Sequence, residues 1–394
     1  MPDSLTIHII AIGGTGTAPL ACLLQAAGHR VRGSDGPLYP PMSTLLETFG
    51  VAPFVGFDPA HLEPAPDLVV VGNAVPRSNP EAEAVEASGL TRISMPEAIG
   101  RFFLDGRRPL VAAGTHGKTT TTAIAAWVYS VCGRDPGYLI GGVPIGLDRS
   151  FARGTGARFV IEGDEYNAAY FDRGAKFLHY RPETLLLTSV EYDHADLYPS
   201  HDALLDAFRA LVRLVPEGGA VVACADGDAD AGAAMRAVLA AATASVITYG
   251  LSDDDAAVLD VRAGAIDDGP AGVAFTVHDR LDGAPRATRL RLQLSGHHNV
   301  RNALAVWTAA RRDGLAPDDI AAALARFRGV QRRLEVLGEA AGVTVVDDFA
   351  HHPTAVAAGL QALGRRFPGR RRVVLFEPRS LTAGQALHDD AYRR

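Results

Sequence analysis

Apolar residues enter this chain in short runs, separated by helical stretches and glycine-rich turns. Leu5–Ile12 is one such run; it ends in Gly13, Gly14, Thr15 and Gly16, and an alanine- and leucine-rich segment follows to Gly28. Arg30–Ser34, closed by Asp35, reads as a second strand, and Asp67–Val71, followed by Gly72, Asn73 and Ala74, as another. Short apolar strands alternating with helical runs predict a parallel, helix-covered sheet, with ligands at the carboxyl ends of the strands. A second unit of the same kind starts near residue 108, with strands expected at Pro109–Ala113, Arg158–Ile161, Thr184–Thr188 and Gly219–Ala223. From about 245 to 294 the pattern turns to β-branched strands broken by Gly and Asp, including Val273–Val277 and Arg289–Leu294. These predict an antiparallel ribbon on the sheet's edge. Helices are expected at 299–312 and 317–327, then a third βα unit from Arg332 with strands at Val343–Val346 and Arg372–Phe376.

The implied domains are 1–107, 108–328 and 329–394, the last short for an independent α/β domain. Hydrophobic residues make up 47% and charged residues 21%, the balance of an ordinary globular protein. A formal charge of −7 gives no broad attraction to nucleic acid or an anionic membrane. Cys22, Cys132 and Cys224 are odd in number and widely spaced, which reads as reduced thiols in the cytoplasm. No secretion signal or apolar stretch of membrane-spanning length is visible.

Of 38 lysines and arginines, only Lys118 and Lys176 are lysines. Lys118 stands inside Gly114, Thr115, His116, Gly117, Lys118, Thr119, Thr120, between an apolar strand and a helix. That is the setting of a phosphate-binding loop, where backbone N–H groups and a compact ammonium meet phosphate oxygens. The bland alternative is a glycine turn that happens to carry a surface lysine. Glu162, Asp164 and Glu165 follow one predicted strand, and Glu191, Asp193, His194 and Asp196 follow another. Carboxylates at that edge suit Mg²⁺ shared with substrate phosphates, although solvated acidic loops look the same in sequence. His298, Asn299 and Asn302 open a helix, and amides three residues apart on one face match adenine's donor–acceptor edge. Arg333 could reach a γ-phosphate from a separate domain. Asp348 and His352 belong to a run of adjacent charges before Pro353, poor core material.

The glycines at 13, 14 and 16 form a weaker phosphate turn, because Pro19 occupies the third-glycine position of the dinucleotide fingerprint. Asp35 could hold a ribose hydroxyl there, so a nicotinamide dehydrogenase is an alternative reading. The second phosphate loop argues instead for two phosphate-bearing ligands.

Taken together, the motifs at 114–120, 162–165, 191–196, 296–302 and 332–335 resemble the ATP-dependent Mur ligase family of peptidoglycan synthesis. The resemblance implies three α/β domains: a Rossmann-like domain for a UDP-sugar, a P-loop domain for ATP, and a Rossmann-like C-terminal domain that presents the amine. That last domain is shorter in this chain than the resemblance implies. The strings around Gly33–Asp35, Tyr39–Ser43, Gly72–Ala74, Asp164–Tyr166 and Glu377–Ser380 point to one branch of the family. In it, UDP-N-acetylmuramate is joined through an acyl phosphate to the tripeptide L-alanyl-γ-D-glutamyl-meso-diaminopimelate. L-Alanine as acceptor is an alternative, as is a truncated, silent chain that only binds UDP-sugar or ATP.

By matched position, Thr119 and Glu162 would hold one Mg²⁺, and Glu162 with His194 a second. His298, Asn299 and Asn302 would contact adenine, Arg333 the γ-phosphate, and Arg379 a peptide carboxylate. Asp348 and His352 would orient or deprotonate the amine. Gly13, Gly14, Thr15 and Gly16 would carry the UDP pyrophosphate, near Asp35 and Asn73. Several family members carbamylate a lysine beyond the metal histidine; no lysine follows Lys176, which excludes that modification downstream of His194. Ser189 stands where the family commonly has Asn, and Asn167 where Asp is expected.

Overall fold

The computed structural model describes residues 4–227, 229–254, 259–377, 390 and 392. The first sheet contains β1 (Thr6–Ile10), β2 (Arg30–Asp35), β3 (Phe54–Val55), β4 (Leu68–Val71) and β5 (Arg92–Ser94). All five run parallel in the order β3-β2-β1-β4-β5, with helices α1 (Thr17–Ala26), α2 (Met42–Thr48) and α3 (Pro80–Ser88) between them and α4 (Met95–Ile99) after β5. Every residue of β4 is buried, as expected for a strand covered on both faces. The α3 helix starts where Asn79 accepts from the N–H groups of Glu81 and Ala82 and Pro80 takes the first turn; Gly89, at φ +70°, closes it. Strand order reverses between β1 and β4, which opens a crevice at their carboxyl ends. The Gly13–Gly16 and Gly72–Ala74 turns lie there.

The second sheet begins with β6 (Arg108–Ala113), which feeds the phosphate loop and α5 (Lys118–Val131). Next come β7 (Gly137–Leu139), β8 (Phe151–Ala152), β9 (Arg158–Gly163) and the small antiparallel hairpin β10 (Asn167–Ala169) and β11 (Asp172–Ala175). The chain continues through β12 (Thr184–Leu187), α6 (His201–Arg213), β13 (Ala220–Cys224), α7 (Ala229–Leu239) and β14 (Ser245–Leu251). The strands β15 (Val261–Gly269), β16 (Gly272–Asp279) and β17 (Arg286–Leu292) precede α8 (His297–Arg312) and α9 (Pro317–Arg326). Ten strands align as β17-β16-β15-β14-β13-β12-β6-β9-β7-β8. The pairs from β15 through β14, β13, β12, β6 and β9 to β7 are parallel, whereas β15, β16 and β17 pair antiparallel, so the predicted ribbon begins at Val261 and not near 245, where β14 joins the parallel sheet.

One face of this sheet buries α5 and α8, whose Trp127 and Trp307 anchor the packing. Trp307 is fully buried, and its indole N–H donates to Asp279 at 3.0 Å, so its one polar group is satisfied. The parallel order brings the ends of β6, β9 and β12 side by side, and with them the three loops that carry the chemistry.

The third segment departs from expectation. β18 (Glu335–Ala340) pairs antiparallel with β19 (Val343–Asp347), and α10 (Pro353–Arg366) follows. Among the described residues this is a hairpin and a helix, not a parallel βα unit. The run Arg372–Phe376 forms no strand, and Val373, Val374 and Leu375 are exposed. A β-branched run becomes a strand only when a neighbour takes its backbone hydrogen bonds, and none of the described strands lies beside it.

Candidate active site

The phosphate loop is built around two glycines that tolerate no side chain. Gly114 has φ +134°, and a Cβ there would lie 2.7 Å from the carbonyl oxygen of Ser189. Gly117 has φ +81°, and a Cβ there would lie 2.6 Å from Asn302 Oδ1. Gly117 is also the N-cap of α5, and no side chain caps this helix, which leaves its first N–H groups available to an anion. The loop after β12 braces it from the side. Ser189 Oγ accepts from His116 N at 2.9 Å, Thr188 donates to the His116 carbonyl, and Thr115 exchanges two 2.9 Å bonds with the Glu191 backbone. Ser189, a departure from the family pattern in sequence, therefore fastens the phosphate loop.

Lys118 donates to the Gly114 carbonyl at 2.7 Å and the Thr115 carbonyl at 3.2 Å, and lies 3.0 Å from both oxygens of Glu165. Burial disfavours its charge, but Glu165, Asp164 and Glu162 outweigh that and hold its pKa above the ordinary lysine value. Thr119 donates to Glu162 at 2.8 Å, and the other oxygen of Glu162 accepts from Gly141 N at 2.9 Å. Burial pushes the Glu162 carboxyl up despite Lys118 nearby.

His194 does not pair with Glu162. Its Nε2 lies 2.9 Å from Glu165 Oε1, and its backbone N–H donates to Asp193 Oδ1 at 2.7 Å. The backbone there is left-handed, φ +56°, a conformation costly for histidine and typical of residues held for function. Burial lowers the imidazole pKa, but Glu165 and Asp193 raise it above the ordinary value. Glu165 thus links Lys118 to His194. In sequence Glu165 is one member of the acidic cluster after β9 with no role of its own, and its position one residue after Asp164 is the available signal.

These groups face a cavity of about 420 Å³. Lys118, Thr119, Glu162 and His194 line one side. His298, Asn299 and Asn302 line another, from the start of α8, where Asn302 Nδ2 lies 3.3 Å from Asn299 Oδ1. Burial and nearby Arg301 hold the His298 pKa down at about 4, so the ring is neutral near pH 7. The third side comes from the C-terminal segment: Arg333, Asp348 and His352. Arg333 donates to Thr119 Oγ1 at 3.3 Å and lies over the Phe349 ring. Burial raises the Asp348 carboxyl above its ordinary range, although Ala350 N and Arg333 favour its charge. His352 caps α10, accepting from Thr354 N at 3.3 Å, and its ring centroid lies 4.5 Å from that of His116. Glu191, which accepts from Thr354 Oγ1 at 2.8 Å, completes a group in which donor atoms of His116, Glu191 and His352 lie within 4.8 Å. Burial opposes the Glu191 charge, but His116 and Thr354 hold its pKa at about 2.

A second cavity, about 360 Å³, lies between the first sheet and the end of β9. Gly14, Thr15, Gly16 and Asn73 line it, but Gly13 and Asp35 do not. Asp35 instead accepts from Gly13 N at 2.7 Å and Gly36 N at 2.8 Å, so its carboxylate shapes the turn from behind. Glu162 and Asp164 line both cavities. Arg379 lies outside the described residues.

Three family models match in succession: "Mur ligase family, catalytic domain" over 6–107, "Mur ligase middle domain" over 112–310 and "Mur ligase, glutamate ligase domain" over 332–391. The UDP-N-acetylmuramate–L-alanyl-γ-D-glutamyl-meso-2,6-diaminoheptandioate ligase of Escherichia coli is 41% identical over 387 residues, 98% of this chain and 81% of its own length. The UDP-N-acetylmuramate–L-alanine ligase of Kineococcus radiotolerans is 40% identical over 96% of this chain and 77% of its own. The crystal structure of a murein peptide ligase from Psychrobacter arcticus superposes with a TM-score of 0.79 at 38% identity, covering 93% of this chain and 77% of that one. Cavity, motif order and relatives agree: the chain belongs to the Mur ligase family.

Proposed function

We propose that this enzyme uses ATP to join UDP-N-acetylmuramate to the tripeptide L-alanyl-γ-D-glutamyl-meso-diaminopimelate, as in the recycling of peptidoglycan. One observation carries the reading: a single cavity gathers Lys118, Glu162 and His194 from strand ends with Arg333, Asp348 and His352 from the C-terminal segment. Domains 1–107, 108–328 and 329–394 would bind UDP-sugar, ATP and amine in turn. No helix among the described residues is long and apolar enough to cross a membrane, in keeping with small soluble substrates in the cytoplasm.

The donor set fits Mg²⁺: Thr119 and Glu162 supply hard oxygen atoms, and the carboxylates Glu162, Asp164 and Asp193 line the cavity with Lys118. Glu162 and His194, with Thr119, would hold the metal, which would neutralise phosphate charge. The chain's own groups do the rest. The free N–H groups at the start of α5 and the Lys118 ammonium would hold the triphosphate, and His298, Asn299 and Asn302 the adenine. The muramyl carboxylate oxygen attacks the γ-phosphorus and ADP leaves; Lys118 and Arg333 offset the two anions that meet there. The amine nitrogen then attacks the acyl carbon, phosphate leaves, and the amine's proton passes to Asp348 or His352. A carboxyl raised by burial is the better base.

The L-alanine acceptor remains the second reading, favoured by the 40% identity to a ligase of that name. Mass spectrometry of products separates the two. The tripeptide adduct, formed with ADP only when ATP, Mg²⁺ and both substrates are present, supports the first. Equal or faster turnover with L-alanine alone would replace it.

A further inference from the structure

Lysine is scarce in this chain, and both lysines stand at the two cavities described above. Lys118 lies in the larger one and Lys176 in the smaller, one on each side of the Glu162–Asp164 wall that the cavities share. Lys176 sits between β11 and the following turn. Its Nζ lies 2.9 Å from Asp164 Oδ2 and 5.6 Å from the centroid of the Tyr166 ring, and its side chain is 12% exposed. The other oxygen of Asp164 is held by Tyr166 N at 3.0 Å, so the carboxylate that anchors the lysine is itself fixed. An ammonium has three N–H donors, and the bond to Asp164 uses one.

The smaller cavity has an uneven charge balance. Among the described residues its lining holds two carboxylates, Glu162 and Asp164, and one cationic side chain, Lys176. UDP-N-acetylmuramate brings a pyrophosphate and a lactyl carboxylate into that space. The glycine turn at 14–16 and the start of α1 offer backbone N–H groups to the pyrophosphate at one end. The carboxylate has to lie at the other end, against the wall beyond which Lys118 and the γ-phosphate meet. It arrives there beside Glu162 and Asp164, and two like charges need a cation between them.

We propose that Lys176 is the receptor for the muramyl carboxylate: it binds the nucleophile of the first step and aims it across the Glu162–Asp164 wall at the γ-phosphate. Lys118 then serves the electrophile and Lys176 the nucleophile. The inference rests on the UDP-sugar reading of the smaller cavity.

Calorimetric titration of the full chain with UDP, UDP-N-acetylglucosamine and UDP-N-acetylmuramate tests it, because only the last carries the carboxylate. Lys176→Met is expected to weaken UDP-N-acetylmuramate about tenfold to a hundredfold, the size of one hydrogen bond to a charged group, and to leave the other two unchanged. Unchanged UDP binding also shows that the variant is folded. Lys176→Arg keeps the charge and is expected to recover part of the loss. Equal weakening of all three ligands by both variants would overturn the proposal, placing Lys176 at the pyrophosphate or in the scaffold. So would unchanged affinity for all three, the mark of a structural ion pair with Asp164. Failure of wild-type protein to bind UDP or UDP-N-acetylglucosamine would instead remove the UDP-sugar reading on which the proposal stands.

Discussion

Two buried glutamates hold similar partners in different places. Glu81, at the start of α3, is fully buried and accepts from Asp58 N at 3.1 Å and from Ser34, with His61 Nδ1 at 2.8 Å and His8 Nε2 at 3.1 Å. His61 is covered by the Phe54 ring, stacked at 4.3 Å. Glu165 is also buried and also has a histidine, His194, but its second partner is Lys118, and both partners line the ATP-side cavity. The chemical ingredients are close; the access differs. A carboxylate whose partners line neither cavity holds the first sheet to α3. A carboxylate whose partners face a cavity sets the charge of groups that meet a ligand. Burial and shifted pKa values do not by themselves mark a catalytic residue.

The comparison breaks most sharply at Glu81. Glu81→Ala leaves His8 and Ser34 buried without their acceptor, and should cost about 3–5 kcal/mol of stability in denaturant unfolding. The turnover of the remaining folded molecules should stay near wild type. A large fall in turnover with unchanged stability would give this cluster a catalytic role that its place outside both cavities denies. Lys118→Ala is the converse. It should lower ATP turnover by about two to three orders of magnitude, about 2.7–4 kcal/mol in the barrier, measured on the folded molecules. Near-normal ADP release would remove the triphosphate site.

A smaller effect sharpens the contrast through pH. Burial pushes the Glu81 carboxyl up, but hydrogen bonds from His8, Ser34 and His61 hold it below the ordinary value of 4.5. A depressed folded-state pKa contributes stability that is full above the unfolded value and is lost as pH falls through the folded one. The stability gap between wild type and Glu81→Ala should therefore be widest above about pH 4.5 and shrink below it, followed by urea unfolding. A gap that widens on acidification would reverse the assignment.

Much of the site was legible because its residues are set by local geometry. Gly114 and Gly117 need positive φ beside a strand end, and Lys118, Thr119, Glu162 and Asn302 follow at fixed places in the loops and helix that the strands deliver. What was hidden depends on segments distant in sequence. Thr354 meets Glu191 across 163 residues, and the approach of His116 to His352 needs α10 in place. The bonds from Gly13 N and Gly36 N to the Asp35 carboxylate depend on the path of the turn, which the residue types alone do not state. The third segment misled for another reason. The apolar pattern at Arg372–Phe376 states only what a strand would bury, not whether a neighbour is there to pair with it.

The central claim, that a carboxylate is activated at the γ-phosphate beside Lys118, is tested most directly by isotope transfer. UDP-N-acetylmuramate labelled with ¹⁸O in its carboxylate is turned over with ATP, Mg²⁺ and the tripeptide, and the released phosphate is analysed by mass spectrometry. Attack on the γ-phosphorus predicts one ¹⁸O in each inorganic phosphate and one left in the new amide. Label that stays out of phosphate, or that appears in AMP, would contradict the account.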